Sequence, residues 1–302
     1  MLIEYILNEE EIHELTIKKT IEAFYGFEQD GNFYRCKVKI YKQIKGWDLI
    51  FKILYDEVPD LEDLNLPAKL SEAIKIYKKG LIIINGIKDS GKTTTIASLI
   101  EYVNKDRYIH TIMLADVIEY RYKPQKSLIR QRILNRDFIS LHETVSAASK
   151  EDVDVLYVYD FDDYNVIKES LIAAEKGILV LACMNTIDTR RALYSLVDKA
   201  PDIEKPYIRH LLAENLKVIL SQKLLLKADG GGLVPATEFV IAHPDLYKLI
   251  EEGTFDSIDS LILETEQYGM HNFAASISGL LKTGIITEAE ALKAGMKSME
   301  NR

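Results

Sequence analysis

The chain has 302 residues, of which 47% are hydrophobic and 28% are charged, and its formal net charge is −9. This length predicts about two domains with a sizeable core, and the composition excludes a largely disordered chain. The acidic balance argues against nucleic acid as the main partner. The two cysteines, Cys36 and Cys183, fit neither a disulfide framework nor a zinc ribbon, so a reducing cytoplasm is the expected compartment.

The sequence contains no apolar run approaching the roughly 18 residues that a membrane-spanning helix requires. Its first residues, MLIEYILNEEE, are acidic and lack the basic segment of a signal peptide. We therefore expect a cytoplasmic protein without membrane insertion. Any association with the inner face of the cell membrane is expected to depend on a partner protein.

The N-terminal region is predicted to form a short domain over residues 1–62. Its first 25 or so residues are predicted mainly as helix, with Ile17, Ile21 and Phe24 on one side. Two strands should follow, at Phe33–Tyr41 and Trp47–Leu54, since both stretches are rich in β-forming residues.

Side chains alternate along the first of these strands. One face is apolar, and the other carries Arg35, Lys37 and Lys39. Two interpretations of the basic face stay open. It is either the solvated face of an edge strand guarded against aggregation, or a surface presented to a neighbouring subunit's nucleotide.

The second domain is predicted over residues 63–302, after a candidate linker at Pro59–Pro67. Apolar strands alternate with helical stretches here, a pattern typical of an α/β fold with a buried, parallel-rich sheet. The part from about 244 to 302 is predicted as helical. The predicted strands of this domain are Leu81–Ile84, Ile109–Leu114, Val153–Tyr159, Ile178–Cys183 and Val234–Ile241.

The segment GIKDSGKT at residues 86–93 fits G-x-x-x-x-G-K-[ST] at every position. An apolar strand precedes it, and a helix with one apolar face follows it, which is the context that makes this short pattern informative. Glycines let backbone N–H groups close around a phosphate, and the helix N-terminus adds partial positive charge. A tight turn with a chance lysine is the weaker alternative, because pattern and context agree.

This loop predicts ATP and Mg²⁺ as cofactors. Lys92 can reach the β- and γ-phosphates, and Thr93 can place its hydroxyl on Mg²⁺. The predicted nucleotide-binding residues are Gly86, Ser90, Gly91, Lys92, Thr93 and Thr94.

Acidic residues follow two of the predicted strands. Asp116 and Glu119 come after Ile109–Leu114, and Asp160 comes after Val153–Tyr159. Ligands of open α/β sheets bind at the carboxyl ends of strands. Both acid-bearing strands are therefore expected beside Leu81–Ile84, the strand that leads into the phosphate loop (P-loop). A carboxylate near Mg²⁺ and a group that activates water would complete a nucleotide hydrolase.

Asp160 is the favoured magnesium-supporting carboxylate, in a Walker B position. Asp162 and Asp163 are expected instead to cap the next helix and to be solvated, because three acids beside a triphosphate would repel it.

Several segments, in order, resemble the secretion ATPase superfamily of type II secretion and type IV pili, closest to the pilus-retraction (PilT-like) ATPases. The similarity runs from about Phe33 to about Ala294. The segments that carry it are HTIMLADVIEY (110–120), QR (131–132), RD (136–137), EDVDVLYVYD (151–160), AAEKG (173–177), SQKL (221–224), GGGLVPATE (230–238) and HPDLYKLIEE (243–252).

The resemblance implies a RecA-like ATPase domain preceded by a truncated PAS-like domain, assembled as a hexameric motor. Glu119 would be the general base, Asp160 would support Mg²⁺ through water, and Arg35 would act on a neighbouring subunit's nucleotide. An inner-membrane platform protein of the pilus or secretion machine would be the partner, and nucleic acid would not.

Departures from the family pattern support a second hypothesis. Asn185 stands where the family has a histidine beside the γ-phosphate, and Asp162 stands where it has an arginine. The alternative is therefore a nucleotide-binding regulatory or structural ring subunit that hydrolyses little ATP itself. A nucleic-acid translocase would have the same fold, but the net charge of this chain, −9, argues against that function.

Overall fold

The computed structural model describes residues 2–54 and 57–295, except for the side chain of Asn32. The chain divides into two compact units. The first runs to Val58 and also includes Glu119–Tyr122, whereas the second contains Pro59–Ile118 and the chain from Lys123 onward. Each unit has its own hydrophobic cluster.

The first unit is a three-stranded antiparallel sheet with two preceding helices. The strand order is β1-β2-β3, and the helices bury apolar side chains, including Ile6 and Leu15, in the same cluster as Val38 and Ile40 of β2. Its elements are α1 (Leu2–Ile6), α2 (Glu9–Lys18), β1 (Thr20–Gln29), β2 (Asn32–Gln43) and β3 (Gly46–Leu54).

The prediction of helix over the first 25 residues is wrong after Lys18. Lys19 adopts a left-handed conformation (φ 62°) and ends α2, and β1 begins at the next residue. Ile21 is buried opposite Ile40 of β2, while Ile17 and Phe24 are exposed. The apolar spacing fitted a helix, but pairing with β2 decides the structure because it buries alternate residues.

The interpretation of the basic face as an edge strand is also wrong, because β2 is the central strand of this sheet. Lys37 and Lys39 do lie on the face opposite the buried residues, and both contact Glu22 of β1, at 2.7 and 3.7 Å. The nearby ammonium groups lower the pKa of Glu22, mainly through the hydrogen bond from Lys37.

The second unit is built around a seven-stranded sheet of order β10-β9-β4-β8-β7-β5-β6. All neighbouring pairs are parallel except β9 and β10. Its strands are β4 (Gly80–Asn85), β5 (His110–Ala115), β6 (Leu128–Ile133), β7 (Val155–Val158), β8 (Leu179–Met184), β9 (Leu216–Leu226) and β10 (Leu233–Ile241).

Helices connect these strands and continue to the end of the described chain. Those numbered α9 to α12 lie where the sequence predicts helical structure after residue 244. The helices are α3 (Ala68–Ile76), α4 (Lys92–Asp106), α5 (Leu141–Ala148), α6 (Tyr164–Glu175), α7 (Thr189–Asp198), α8 (Lys205–Asn215), α9 (Pro244–Glu252), α10 (Ile258–Glu264), α11 (Phe273–Lys282) and α12 (Glu288–Lys293).

The main core lies where β4, β5, β7 and β8 meet helices α5 to α10. Fully buried side chains such as Leu81 of β4, Leu114 of β5 and Phe161 fill it. A smaller cluster joins α11 and α12 to β9 and β10, through Leu225, Val234 and their neighbours. The predicted α/β class with a mostly parallel sheet is confirmed, while β6 and β9 lie where no strand is predicted.

Candidate nucleotide site

The predicted phosphate loop connects the end of β4 to the start of α4. All six residues of β4 are buried, and Gly91 is the residue before the helix. Gly86 and Gly91 have φ angles of 153° and 89°, which side-chain-bearing residues rarely adopt. A Cβ on Gly86 would lie 2.4 Å from both the carbonyl oxygen of Gln222 and Oγ of Ser90. The loop therefore has room only for glycine at this point.

Lys92 begins α4 and folds back over the loop. Its Nζ donates hydrogen bonds to the carbonyl oxygens of Gly86, at 2.7 Å, and Ile87, at 2.8 Å. Burial lowers the pKa of Lys92 because the charged ammonium loses solvation, while the nearby Cys183 and Asp89 oppose this effect. Exchanging two loop carbonyls for phosphate oxygens would give this ammonium a stronger, charge-assisted partner.

The other predicted loop residues fit a phosphate as well. Ser90 is 2% exposed, and its Oγ has no hydrogen-bond partner among the described residues. Thr93 and Thr94 lie half-buried in the first turn of α4, a 15-residue helix. The N-terminal turn of a helix favours an anion, because its N–H groups point out of the helix and the helix dipole adds partial positive charge. The residues present therefore fit the phosphates of a nucleotide.

The strands that carry the candidate acids are not neighbours of the P-loop strand, so that expectation is wrong. Strand β4 pairs with β8 and β9, and β7 and β5 follow beyond β8. Periodicity identifies a buried strand but carries no information about its place in the sheet, because each neighbour offers the same backbone hydrogen bonds. The carboxyl end of β8, which leads into Asn185, thus lies between β4 and the end of β7.

Asp160 follows β7 and is half-buried. Burial is the main cause that raises the pKa of Asp160, and the nearby carboxylates of Asp162 and Asp116 raise it further. A nearby cation would stabilise the charged form of this carboxylate, because it would offset both the lost solvation and the repulsion by the other carboxylates. Asp162 itself forms an ion pair with Lys199 at 2.5 Å.

Asp163 caps α6, as the sequence predicts. Its Oδ1 accepts hydrogen bonds from the backbone N–H groups of Asn165, at 2.9 Å, and Val166, at 3.1 Å. These contacts satisfy N–H groups that the first turn of a helix leaves without partners.

Replacing Asp163 by alanine is expected to lower the free energy of unfolding by about 1 kcal/mol, because the cap is lost. Urea denaturation followed by circular dichroism measures this change. Asp162→Ala is the matched control, since its exposed ion pair contributes about 0–1 kcal/mol. Equal stability of Asp163→Ala and wild type would contradict the capping role.

Asn85, the last residue of β4, was not singled out by the sequence but organises the loop between β8 and α7. It is fully buried, and its Oδ1 accepts from the N–H (3.0 Å) and hydroxyl (2.9 Å) of Thr186. Its Nδ2 donates to Asp188 O at 3.1 Å and to Ser221 Oγ at 3.0 Å. The amide thus fixes the loop that carries Asn185, whose side chain is exposed.

Two further predicted site residues, Arg35 and Glu119, lie together in the first unit. Arg35 is 8% exposed, and its Nη2 donates to the carbonyl oxygen of Glu119 at 3.2 Å. Lys52 of β3 forms an ion pair with the Glu119 carboxylate at 2.5 Å. Both basic residues therefore hold the segment Glu119–Tyr122 against this sheet.

A family model described as "Type II/IV secretion system protein" matches residues 60–234, more than half of the chain. The match includes the P-loop, Asp160 and strand β9. The chain belongs to the type II/IV secretion system protein family. The family expected from the sequence motifs is therefore confirmed.

Two curated proteins resemble the chain over most of their length. It is 31% identical to "Twitching motility protein" of Neisseria gonorrhoeae, over 93% of this chain and 75% of that protein. It is also 31% identical to "Type IV pilus retractation ATPase PilT" of Pseudomonas aeruginosa, over 90% of this chain and 78% of that protein.

A solved structure extends the likeness to three dimensions. The crystal structure titled "Pilus Retraction Motor PilT and Bound ADP" superposes with a TM-score of 0.86 at 31% identity, and covers 97% of this chain and 82% of that one. This match confirms the predicted RecA-like ATPase fold with a preceding N-terminal domain. None of the helices in the described part of the chain combines the length and the apolar character that a membrane span requires.

Proposed function

We propose that this chain is an ATP-hydrolysing motor subunit of type IV pilus machinery, of the retraction or twitching type, or of a related secretion machine. The observation that carries the proposal is the phosphate loop between β4 and α4, with its two glycines at positive φ and its half-buried Lys92. The relatives named as a twitching protein and a retraction ATPase support the same activity.

The loop residues would bind the phosphates of ATP. Lys92 would leave the carbonyls of Gly86 and Ile87 and contact the β- and γ-phosphates. The buried hydroxyl of Ser90, the N–H of Gly91 and the first turn of α4, with Thr94, would complete the cradle. A homologous structure that contains ADP supports this use of the site.

Catalysis requires a metal-supporting group and a base. Thr93 would place its hydroxyl on Mg²⁺, and Asp160, half-buried among other carboxylates, would support the ion through water. The bound ion would neutralise charge on the phosphates. Glu119 would orient the attacking water and accept its proton.

We propose that the working form is a homo-oligomer, a hexamer, in the cytoplasm at the inner face of the cell membrane. An inner-membrane platform protein of the pilus or secretion machine would receive the mechanical work. Arg35 would act as a cation on the nucleotide of a neighbouring subunit. The relatives' names, which refer to pilus retraction and twitching, support a mechanical role.

Two ion pairs favour the alternative of a regulatory ring subunit with little hydrolysis of its own. The proposed base, Glu119, is engaged by Lys52, and Asp162 is engaged by Lys199. A steady-state ATPase assay of the assembled protein with Mg²⁺ separates the two functions. Turnover that depends on protein concentration and on Mg²⁺ supports the motor, whereas background turnover in an assembled ring supports the regulatory subunit.

Replacing Arg35 by alanine is expected to lower ATP turnover roughly ten- to hundredfold, the loss typical of a charge-assisted hydrogen bond. Turnover at saturating protein and nucleotide measures the effect. Normal hydrolysis by Arg35→Ala would remove Arg35 from the site and leave it as a structural partner of Glu119.

A mixing experiment tells whether Arg35 acts within its own chain or on a neighbour. Arg35→Ala protein is mixed with Lys92→Ala protein, each of which is expected to turn over ATP more slowly than wild type. If Arg35 acts in trans, some interfaces combine an intact nucleotide site with an intact arginine, and turnover rises above that of either variant. No gain on mixing would place its effect within one chain.

A further inference from the structure

A side chain of the neighbouring strand β9 contacts the phosphate loop and has no part in the function proposed above. We propose that Gln222 of β9 is a positioning residue, which holds the loop in its phosphate-binding shape; this inference rests on the proposed function. Gln222 is 3% exposed and lies 132 residues beyond Ser90, the loop residue that it contacts.

Both ends of the Gln222 carboxamide are used. Its Nε2 donates to the carbonyl oxygen of Ser90 at 2.6 Å, and its Oε1 accepts from Oγ1 of Thr95 at 3.0 Å. The amide therefore bridges the last loop residue before Gly91 to the first turn of α4. A buried amide satisfied at both ends fixes its partners, because breaking either contact leaves a polar atom without a partner.

The loop also packs directly on Gln222. A Cβ on Gly91 would lie 3.0 Å from Nε2 of Gln222, and a Cβ on Gly86 would lie 2.4 Å from its carbonyl oxygen. The close approach of β9 therefore excludes a side chain at Gly86, while a side chain at Gly91 would crowd the Gln222 amide. The approach follows from the parallel pairing of β9 with β4, in which Asn85 is opposite Ser221.

The contact with Ser90 determines which way one peptide group points. In a trans peptide the carbonyl and the next N–H point in opposite directions. Holding the Ser90 carbonyl on the Gln222 amide therefore directs the N–H of Gly91 away from β9. Without this restraint the peptide can rotate, and a carbonyl oxygen aimed at phosphate would repel it.

A residue that shapes the cradle affects substrate and transition state alike. Its loss should raise the Kd and KM for nucleotide and leave kcat nearly unchanged, which is the pattern of lost uniform binding. A merely structural role would lower the stability of the unliganded protein without this split between KM and kcat.

The test uses Gln222→Met, which keeps the length of the side chain and removes both hydrogen bonds. ADP and ATP affinities are expected to fall roughly three- to thirtyfold, with kcat within about twofold of wild type. The matched control is Lys223→Met in the same strand. Lys223 instead donates to the carbonyl of Ala294 and lies over the ring of Phe273, so its loss should leave nucleotide affinity unchanged.

A second variant keeps the proposal testable if Gln222→Met folds poorly. Gln222→Glu retains an acceptor for Thr95 but faces the Ser90 carbonyl with a carboxylate oxygen, so nucleotide affinity should fall at least as far as in Gln222→Met. A double-mutant cycle with Thr95→Val should show non-additive losses, since both changes remove the same bridge.

The outcomes separate this inference from the proposed function. If wild type binds ATP and the Gln222 variants match it in affinity and KM, the positioning role is wrong and the function stands. Additive losses for Gln222→Met and Thr95→Val would also overturn the bridge. If wild type itself fails to bind ATP, the proposed function is wrong, and the positioning role is overturned with it because it rests on that function.

Discussion

Replacing Glu119 by glutamine is expected to lower the rate of ATP hydrolysis by about 10²–10⁴-fold while leaving ATP affinity nearly unchanged. Glutamine keeps the shape of the side chain but cannot accept a proton from the attacking water, and loss of a general base has this typical cost. The corresponding rise in the barrier is about 3–5 kcal/mol. Steady-state turnover and an independent ATP titration measure the two quantities separately.

The ion pair with Lys52 supplies a control for this experiment. Glu119→Gln also weakens that pair, which joins Lys52 Nζ and Glu119 Oε1 at 2.5 Å. Lys52→Met breaks the pair and keeps the carboxylate. If Glu119 is the base, Lys52→Met should hydrolyse ATP at least as fast as wild type, because the carboxylate no longer binds an ammonium.

Asn185→His provides a second control, since the resemblance to the secretion ATPases implies a histidine at this position, beside the γ-phosphate. In a weakened motor it should raise turnover or leave it unchanged, and pilus-dependent motility should require Glu119. The motor is contradicted if an assembled wild-type ring has no turnover and Glu119→Gln fully complements a deletion. Those results would support the alternative function, a regulatory ring subunit with little hydrolysis of its own.

The phosphate loop could be predicted from sequence because its strand, glycines and helix are contiguous. Its supports could not be predicted in the same way. Asn85 and Gln222 contact partners more than 100 residues away, and such pairs depend on the strand order. The SQKL segment that contains Gln222 was recognisable as a family motif, but its contact with Ser90 is visible only once β9 is placed beside β4.

The N-terminal unit illustrates a different limit of prediction from sequence, namely the choice between helix and strand. The stretch around Ile21 has apolar residues at helical spacing and also at every second position, so local pattern does not choose between helix and strand. The choice is made by β2, whose Val38 and Ile40 are fully buried opposite β1. The segment Glu119–Tyr122 is a similar case, since only the folded chain assigns it to the first unit.

Replacing Lys92 by alanine is expected to raise the Kd for Mg²⁺-ATP by roughly 30-fold to more than a thousandfold. Removing one partner of a buried, hydrogen-bonded charge pair costs about 2–5 kcal/mol, and the Lys92 ammonium would be such a partner for the phosphates. Its present contacts are carbonyl oxygens within its own loop, so the unliganded fold should survive the change. Isothermal titration with Mg²⁺-ATP measures the affinity, and circular dichroism measures the fold.

Lys88 offers the matched control for charge. It lies in the same loop, is exposed, and carries the same formal charge as Lys92. Lys88→Ala should change the Kd by only a few-fold at physiological salt, because exposed charges are screened. A Lys92→Ala protein that titrates ATP like wild type would refute the assignment of this loop as the phosphate site. Equal losses in both variants would mean that the loop attracts nucleotide by overall charge and not through a specific contact of Lys92.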